Sequence, residues 1–497
     1  MKTLARLEKS KQIWFLIVIS LIFFLLRLPS LIEPYWYGDE GMYEVIGQAL
    51  YKGRFLYTQI WDHKPPLLYL IYGLFNGDQF SVRMTSLVFG LLSALVFFYL
   101  SQKLFKKISI SIITTSIYTL LFASPYLEGN IANAENFMLL PVITAGLLIL
   151  TISKKQQVSN KISHRNYKLL ISAGLLLGIA LIFKTVAVFD FIAFAVFFFI
   201  VSLKRSGNNM KELILHDSMP FLAAFLFPLF LTCLYFLVHN ALAVYIQTTL
   251  FYGVGYVGYE NNFIIPQGLI LAKFFPVILI VLILFIKRKS IPQETLFILL
   301  WLSFSVFNAF FSQRPYTHYL LVVLPSFCLL IGLLISAQQR KAKIILISLT
   351  LVILILISKN FWTYGFDKTL RYYENTISFI SGKQTTTAYR TFFDSKTPRD
   401  YELSSYIKMH AKPDDNIFVW GDDPEIYALC HKLPPGKYTV AYHIQDKAAR
   451  EETQLVLQKT KPRYIITLAE TSNIPFMLGN YATKYTLKGS VIYERTF

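Results

Sequence analysis

Residues 12–32 form one long apolar run, QIWFLIVISLIFFLLRLPSLI. A helix needs about 20 consecutive apolar residues to cross a bilayer, and this run has that length. It is too long for the apolar core of a signal peptide and lacks a small-residue cleavage site, so we expect a retained membrane helix. Of the 497 residues, 55% are hydrophobic and 15% are charged, and the mean hydropathy is +0.48. The sequence therefore predicts an integral membrane protein.

Ten further apolar runs approach the length of a membrane span. They lie at residues 82–103, 108–124, 136–153, 169–184, 186–203, 219–239, 268–286, 294–312, 319–337 and 343–358. Together with the first run they predict an α-helical polytopic membrane domain over residues 1–358, with about eleven transmembrane helices.

Basic residues are distributed unequally between alternate linkers. If the N-terminal segment is cytoplasmic, the linkers on its side carry 21 Lys and Arg residues, against five on the other side. This positive-inside pattern predicts a cytoplasmic N-terminus in the plasma (inner) membrane. The formal net charge of +19 comes from these linkers. It therefore indicates topology and contact with anionic membrane lipids, and it does not indicate nucleic acid.

The chain after the last apolar run has a different composition. An odd number of spans places residues 359–497 on the extracytoplasmic side, and this segment carries 19 basic and 15 acidic residues. Helical patterns at 398–411, 424–431 and 449–459 alternate with strand-like runs at 417–420 and 464–467. This alternation predicts a soluble extracytoplasmic α/β domain over residues 359–497.

The positions of the cysteines and histidines argue against a fold held by disulfides or by a structural zinc ion. Cys233 and Cys328 lie in apolar runs and leave Cys430 without a partner, so no disulfide framework is expected. The sequence also lacks CxxC pairs and Cys/His clusters, which argues against a structural zinc site.

The first extracytoplasmic linker, residues 33–80, is the richest in chemically capable groups. Asp39 and Glu40 follow a span directly, where a lowered dielectric raises the basicity of a carboxylate, as a general base requires. Solvated loop acids beside an aromatic belt are the other interpretation. The same linker also carries His63 and Lys64, followed by Pro65 and Pro66.

Two acids and a lysine mark the next extracytoplasmic segments. Glu128 and Glu135 lie in the linker 125–135, and Glu135 stands at the mouth of the following span. It is placed to share a metal or a proton with the first linker, or to complement a helix dipole. Lys184 interrupts an apolar run at the corner between two spans, where a lysine needs either an anionic ligand or a path to the interface.

The remaining candidates lie in two later linkers. Tyr256 and Tyr259 alternate with glycines, which suits either a lid that stacks on a sugar or an interfacial tyrosine belt. Arg314 and His318 lie between two spans, where they are either donors to a phosphate or interfacial anchors. The predicted topology places all of these groups on one side of the membrane. The acids can act as a general base or bind a metal, and the cations can hold a leaving phosphate. Together they favour transfer chemistry on a lipid-phosphate substrate.

These motifs resemble those of the GT-C superfamily of membrane glycosyltransferases, in particular the branch with protein O-mannosyltransferases and lipid A aminoarabinose transferases. The resemblance covers roughly residues 30–335. It rests on Asp39-Glu40 with Tyr43, on Gly53 to Tyr57, on His63-Lys64-Pro65-Pro66-Leu67 with Arg83, and on Arg314 to Tyr319 with Pro325.

The resemblance implies an inverting glycosyltransferase, of the kind used in cell-envelope glycosylation, with a polyprenyl-phosphate-linked sugar as donor and a lipid, glycan or protein as acceptor. Asp39 would be the catalytic base, and Lys184 and Arg314 would hold the donor phosphate. The other substrate-binding candidates are Glu40, His63, Lys64, Tyr256, Tyr259 and His318. Relatives differ in their need for a divalent metal, and Glu135 is the candidate ligand here.

A secondary transporter or lipid-sugar flippase is the alternative class. Transporters hold ionisable residues near the middle of broken membrane helices, whereas Asp190 is the one acid inside a predicted span. A membrane-anchored receptor that presents residues 359–497 would not require eleven spans. The crowded set of charged groups at the linkers favours the enzyme.

Overall fold

The computed structural model describes residues 2–156, 164–205, 211, 213–252, 270–311, 314–361, 365–471, 473–477 and 479–496. The chain divides into two compact units. Unit 1 comprises Met1–Leu28 and Thr85–Thr369, and unit 2 comprises Pro29–Met84 and Leu370–Phe497. In this division the first linker groups with the C-terminal segment, and the predicted domain boundary at residue 358 stays a prediction.

The described residues form nineteen α-helices and four strands. The helices are α1 Lys2–Arg27, α2 Gly38–Tyr51, α3 Pro66–Leu74, α4 Gln79–Leu104, α5 Ile108–Ala123, α6 Ala134–Gln156, α7 His164–Phe183, α8 Val188–Arg205, α9 Met219–Val238, α10 Leu242–Ile246, α11 Ile270–Ile286, α12 Gln293–Phe311, α13 Leu324–Ser336, α14 Arg340–Asn360, α15 Phe366–Ile380, α16 Thr386–Phe393, α17 Thr397–His410, α18 Glu425–Cys430 and α19 Lys447–Thr460. The strands are β1 Ile417–Trp420, β2 Tyr464–Thr467, β3 Tyr481–Leu487 and β4 Ser490–Arg495.

The predicted apolar runs correspond to helices of unit 1. Eight of the eleven are long and apolar enough to cross a membrane. The runs at 108–124, 268–286 and 319–337 form the shorter apolar helices Ile108–Ala123, Ala272–Ile286 and Leu324–Ser336, and Leu242–Phe251 is a further short one. The prediction of a polytopic helical membrane protein is thus confirmed. The side on which each linker lies stays a prediction.

Close helix packing in unit 1 depends on two glycines of α7. A Cβ atom on Gly174 would lie 2.7 Å from the Phe221 carbonyl oxygen, and one on Gly178 would lie 2.3 Å from that of Phe225. Spacing of four residues puts both glycines on one helix face, so the backbones of α7 and α9 approach directly. This contact positions α7, whose C-terminus leads into Lys184.

Unit 2 contains a mixed sheet with strand order β1-β2-β4-β3. Strands β1 and β2 are parallel and are connected through α19, whereas β4 is antiparallel to both β2 and β3. The side chain of Asp446 accepts a hydrogen bond from the Ala449 amide at 2.8 Å and caps α19. The core on this sheet includes Phe418, Trp420, Ile465 and Leu457.

The helices and strands predicted for the C-terminal segment are confirmed, since α17, β1, α18, α19 and β2 lie at the expected residues. The hairpin of β3 and β4 was not predicted. Its two turn residues, Lys488 and Gly489, both have positive φ, 46° and 81°. Such a pair matches the twist of a tight hairpin.

The first linker packs against the C-terminal segment inside unit 2. A Cβ atom on Gly41 would lie 2.9 Å from the Cγ of Glu425, so α2 lies close to α18. The Gln48 side chain donates to the Ala428 carbonyl at 3.1 Å, and the Trp61 amide donates to the Lys437 carbonyl at 2.9 Å. These contacts explain why the linker belongs to unit 2.

Candidate functional site

Asp39 lies in the first turn of α2, where the helix dipole favours a carboxylate. Tyr43, one turn further along, donates its hydroxyl to Asp39 Oδ2 at 3.0 Å. The ammonium of Lys64 lies 3.4 Å from the same oxygen and 4.7 Å from the Tyr43 ring centroid. The Asp39 side chain is 34% exposed. These contacts hold the Asp39 carboxylate in place while about a third of the side chain stays exposed to solvent.

The segment that carries Lys64 is fixed by a fully buried acid, Asp62. Tyr69 donates its hydroxyl to Asp62 Oδ2 at 2.5 Å, and Nδ1 of His63 lies 2.8 Å from Asp62 Oδ1. Burial alone would raise the pKa of Asp62, but Lys64 and His63 stabilise the carboxylate and hold that pKa well below its usual range. We call Asp39, Tyr43, Asp62, His63, Lys64 and Tyr69 the Asp39 cluster.

Glu40 has surroundings unlike those of its neighbour Asp39. It is 1% exposed, and the Arg83 guanidinium donates to both of its oxygens, at 2.9 and 2.5 Å. Arg83 also lies 3.1 Å from Glu33, which accepts a hydrogen bond from the Tyr372 hydroxyl at 2.5 Å. Glu40 therefore belongs to a buried ion-pair network that joins the first linker to α15 within unit 2.

A second acidic and basic group, in unit 1, forms around Glu135 at the start of α6. Lys184 lies between α7 and the short 3₁₀ helix Thr185–Ala187, and its ammonium pairs with Glu135 Oε1. The same ammonium lies 4.5 Å from the Tyr319 ring centroid. Glu135 is 2% exposed. The structure pairs Lys184 with Glu135, whereas its role toward a donor phosphate stays a prediction.

His318 completes this group, which we call the Glu135 cluster: Glu128, Glu135, Lys184, His318 and Tyr319. Nδ1 of His318 lies 2.9 Å from Glu128 Oε2, and its Nε2 lies 3.9 Å from Glu135 Oε1. Glu128 has positive φ (56°) after the short helix Pro125–Leu127, which turns the chain sharply at this point. Residues of three linkers therefore meet in unit 1.

The structure describes some of the remaining candidate residues. Arg314 is half-buried and precedes Tyr316, whose ring stacks on His318 with centroids 5.8 Å apart. Tyr256 and Tyr259 lie outside the described residues. Asp190, the candidate for the transporter alternative, accepts a hydrogen bond from the Trp301 indole at 2.8 Å.

Metal-ligand geometry favours a different place from Glu135. The Glu135 carboxylate already pairs with the Lys184 ammonium, which a cation at that oxygen would have to displace, so Glu135 as a metal ligand stays a prediction. Among the described residues, Asp62, His63 and His443 form a group whose ligand atoms all lie within 4.8 Å of one another.

Sequence reasoning did not identify Asp62, Tyr69 or His443 as site residues. Asp62 directly precedes His63, and this adjacency is a signal that could have drawn attention to it. His443 lies in the short helix Ala441–Ile444, 380 positions after His63, and nothing in the local sequence connects the two. Only the packing of the first linker against the C-terminal segment brings them together.

Comparison with known proteins finds a partial family match and a shared fold. Residues 54–244 match the family model of dolichyl-phosphate-mannose-protein mannosyltransferase. None of the curated protein sequences matches the chain significantly.

Solved structures of ArnT from Cupriavidus metallidurans resemble the whole chain. The complex with undecaprenyl phosphate has a TM-score of 0.57 at 12% identity, and the apo state has 0.56 at 13% identity. Each comparison covers 97% of this chain and 98% of ArnT. AglB, an archaeal oligosaccharyltransferase from Archaeoglobus fulgidus, has a TM-score of 0.48 at 12% identity, over 93% of this chain and 70% of AglB. The chain therefore shares the fold of ArnT, and the family match covers residues 54–244, less than half of its length.

Proposed function

We propose that the chain transfers a sugar from a polyprenyl-phosphate donor to an acceptor hydroxyl on the extracytoplasmic face, with inversion at the anomeric carbon and Asp39 as the base. The contrast between Asp39 and Glu40 carries the proposal. Asp39 is one-third exposed and held by Tyr43 and Lys64, whereas Glu40 is buried and fully engaged by Arg83. Of these two adjacent acids, Asp39 is the one that an acceptor can reach.

The proposed reaction is a single displacement. Asp39 accepts the proton of the acceptor hydroxyl, whose oxygen forms a new bond to the anomeric carbon. The bond between that carbon and the donor phosphate oxygen breaks, and the polyprenyl phosphate leaves with the electron pair. Lys184 and Arg314 are the proposed cations that stabilise its developing charge. The resemblance to ArnT, whose structure contains undecaprenyl phosphate, supports a lipid-phosphate donor.

The other proposed substrate contacts differ in their exposure. His63 is 25% exposed and Lys64 is 13% exposed, so both side chains have surface for a ligand. His318 is buried between Glu128 and Glu135, where it would act by holding these acids. Tyr256, Tyr259 and Glu40 remain proposals from the sequence.

A donor-consumption experiment tests the function. Purified protein in nanodiscs is incubated with a panel of polyprenyl-phosphate sugars, and the consumed donor and the anomeric configuration of the product are measured. We expect consumption of one donor class with inversion. Transport of the intact lipid-sugar across vesicles without its consumption would contradict the proposal and favour the flippase.

The proposed face of the membrane has its own test. A reporter that is active only outside the cytoplasm, fused after Phe497, should be active if the positive-inside pattern is correct. Activity of a cytoplasmic reporter at the same position would place the C-terminal segment on the opposite face.

A further inference from the structure

We propose that Asp62, His63 and His443 bind a Zn²⁺-class transition-metal ion within unit 2. The inference concerns a site separate from Glu135, the metal ligand expected from sequence, and binding can be measured without any sugar substrate. The three ligand atoms lie within 4.8 Å of one another. Ligands about 2.0–2.1 Å from a tetrahedral zinc are about 3.3 Å apart, so small side-chain rotations would close the site.

The donor set determines the class of cation. Two imidazole nitrogens and one carboxylate oxygen suit Zn²⁺ and similar transition metals. Mg²⁺ and Ca²⁺ prefer oxygen ligands throughout, so they should compete weakly at this site.

The Asp62 carboxylate is oriented as a metal ligand requires. Its Oδ2 accepts the Tyr69 hydroxyl at 2.5 Å and lies 3.8 Å from the Lys64 ammonium. Its Oδ1 lies 2.8 Å from His63 Nδ1, so the other oxygen of the carboxylate is next to a second proposed ligand. Ligating carboxylates are generally held by a hydrogen bond of this kind, which fixes the direction of the other oxygen.

His443 supplies an independent observation. It is 6% exposed, and its Nδ1 is buried without a hydrogen-bond partner among the described residues. A buried imidazole nitrogen left in this state costs free energy that a metal–nitrogen bond would recover.

The site would join two distant parts of the sequence. The Trp61 ring packs edge-on against His443, with centroids 4.7 Å apart, and the Trp61 amide bonds to Lys437. A metal at Asp62, His63 and His443 would lock this contact and fix the backbone of the next residue, Lys64, whose ammonium lies 3.4 Å from Asp39. The ion would therefore have a structural role, in which it links the first linker to the C-terminal segment.

Metal binding to the full-length, tag-free protein in nanodiscs tests the proposal. After treatment with a chelator, the protein is titrated with ZnCl₂, and bound zinc is quantified by mass spectrometry. We expect one tightly bound Zn²⁺ per chain, a higher melting temperature with zinc, and no displacement by millimolar Mg²⁺. Co²⁺ at the same site should give the intense visible absorption of a tetrahedral complex.

Two ligand variants and a matched control complete the experiment. His63→Ala and His443→Gln should each weaken zinc binding at least ~100-fold, whereas His410→Ala, which changes an exposed histidine of α17, should not. Because the His63 side chain is 25% exposed, His63→Ala should remain folded and decides the outcome if His443→Gln does not fold. Absence of bound zinc in the parent protein, or unchanged affinity in His63→Ala, would overturn the proposal.

Discussion

The Asp39 and Glu135 clusters place the same chemical pair in two different surroundings. Each pairs a carboxylate with a lysine that lies over a tyrosine ring, at 4.7 Å in the Asp39 cluster and 4.5 Å in the Glu135 cluster. The lysines are similarly exposed, at 13% and 14%, but Asp39 is 34% exposed whereas Glu135 is 2% exposed. The acid of the Asp39 cluster is therefore partly exposed, and the acid of the Glu135 cluster is enclosed.

This difference separates two uses of an ion pair. A lysine beside an accessible carboxylate keeps it ionised and available to accept a proton. A buried carboxylate beside a lysine chiefly fixes the lysine, because leaving either charge unpaired inside the protein is costly. We therefore propose the Asp39 cluster for proton transfer and the Glu135 cluster for positioning a cation.

Replacement of the accessible acid should have the largest effect. Asp39→Asn keeps the size of the side chain but cannot accept the hydroxyl proton, so we expect kcat to fall by ~10²–10⁴-fold. Donor binding and thermal stability should stay close to those of the parent protein. Asp78→Asn, the same change at an exposed helix-capping residue of unit 2, is the control. Turnover of Asp39→Asn within a few-fold of the parent would assign the base elsewhere, with Glu135 next to be tested.

Removal of the Lys184–Glu135 pair tests whether the buried carboxylate serves to position the lysine. Lys184→Met alone removes the nearest cation of the buried Glu135 carboxylate and should cost about 3–5 kcal/mol of folding stability. Lys184→Met combined with Glu135→Gln removes both charges and should recover stability. Transfer by the double variant should still be lower by ~30–1000-fold, or ~2–4 kcal/mol, because the phosphate has lost a cation. Recovery of both stability and turnover would make this pair purely structural.

Arg314 tests whether a second cation contributes in unit 1. Arg314→Ala should reduce transfer by ~30-fold, about 2 kcal/mol, because a charge-assisted contact to the leaving phosphate is lost. Arg314→Lys should recover little if the forked guanidinium geometry matters. Steady-state kinetics at matched expression make the measurement, and parent-like rates for Arg314→Ala would identify the residue as an interfacial anchor.

A buried acid near the Asp39 cluster should affect stability and its pH dependence only modestly. Glu44 is fully buried in α2, and burial, with a further contribution from Glu40, raises its pKa well above the usual range. The folded state therefore binds a proton that the unfolded chain releases, so this residue's contribution to stability decreases as pH rises through the raised pKa. Glu44→Gln should remove that decrease.

Thermal melting at pH 5 and pH 8 makes this measurement. The gain in melting temperature from Glu44→Gln should be larger at pH 8, at roughly 2–4 °C for each kcal/mol in a domain of 150–250 residues. Glu374→Gln, an exposed position in α15, is the control. An equal effect of Glu44→Gln at both pH values would mean that the residue is ionised in the folded protein.

Local patterns were sufficient to predict most secondary structure and the position of several candidates. Apolar runs predicted the helices of unit 1, and alternating patterns predicted α17, β1, α18, α19 and β2. The β3–β4 hairpin was missed because β3 is mostly exposed and lacks a strong apolar pattern, although the Lys488-Gly489 pair is a turn signal. The α2 and α3 helices were also not predicted, because they lie inside a linker that was interpreted from its aromatic and charged residues.

The sequence by itself determined that the chain is a polytopic membrane protein with charged groups gathered in its linkers, because hydropathy and charge are properties of each segment alone. Only the tertiary structure decided which charges pair. Arg83 pairs with Glu40, 43 positions away, and Lys184 pairs with Glu135, 49 positions away. Asp62 and His443 are neighbours in space although they are 381 positions apart. Their surroundings arise from packing between distant segments, and burial then decides whether an acid is available to a substrate, fixed in a pair, or placed to bind a metal.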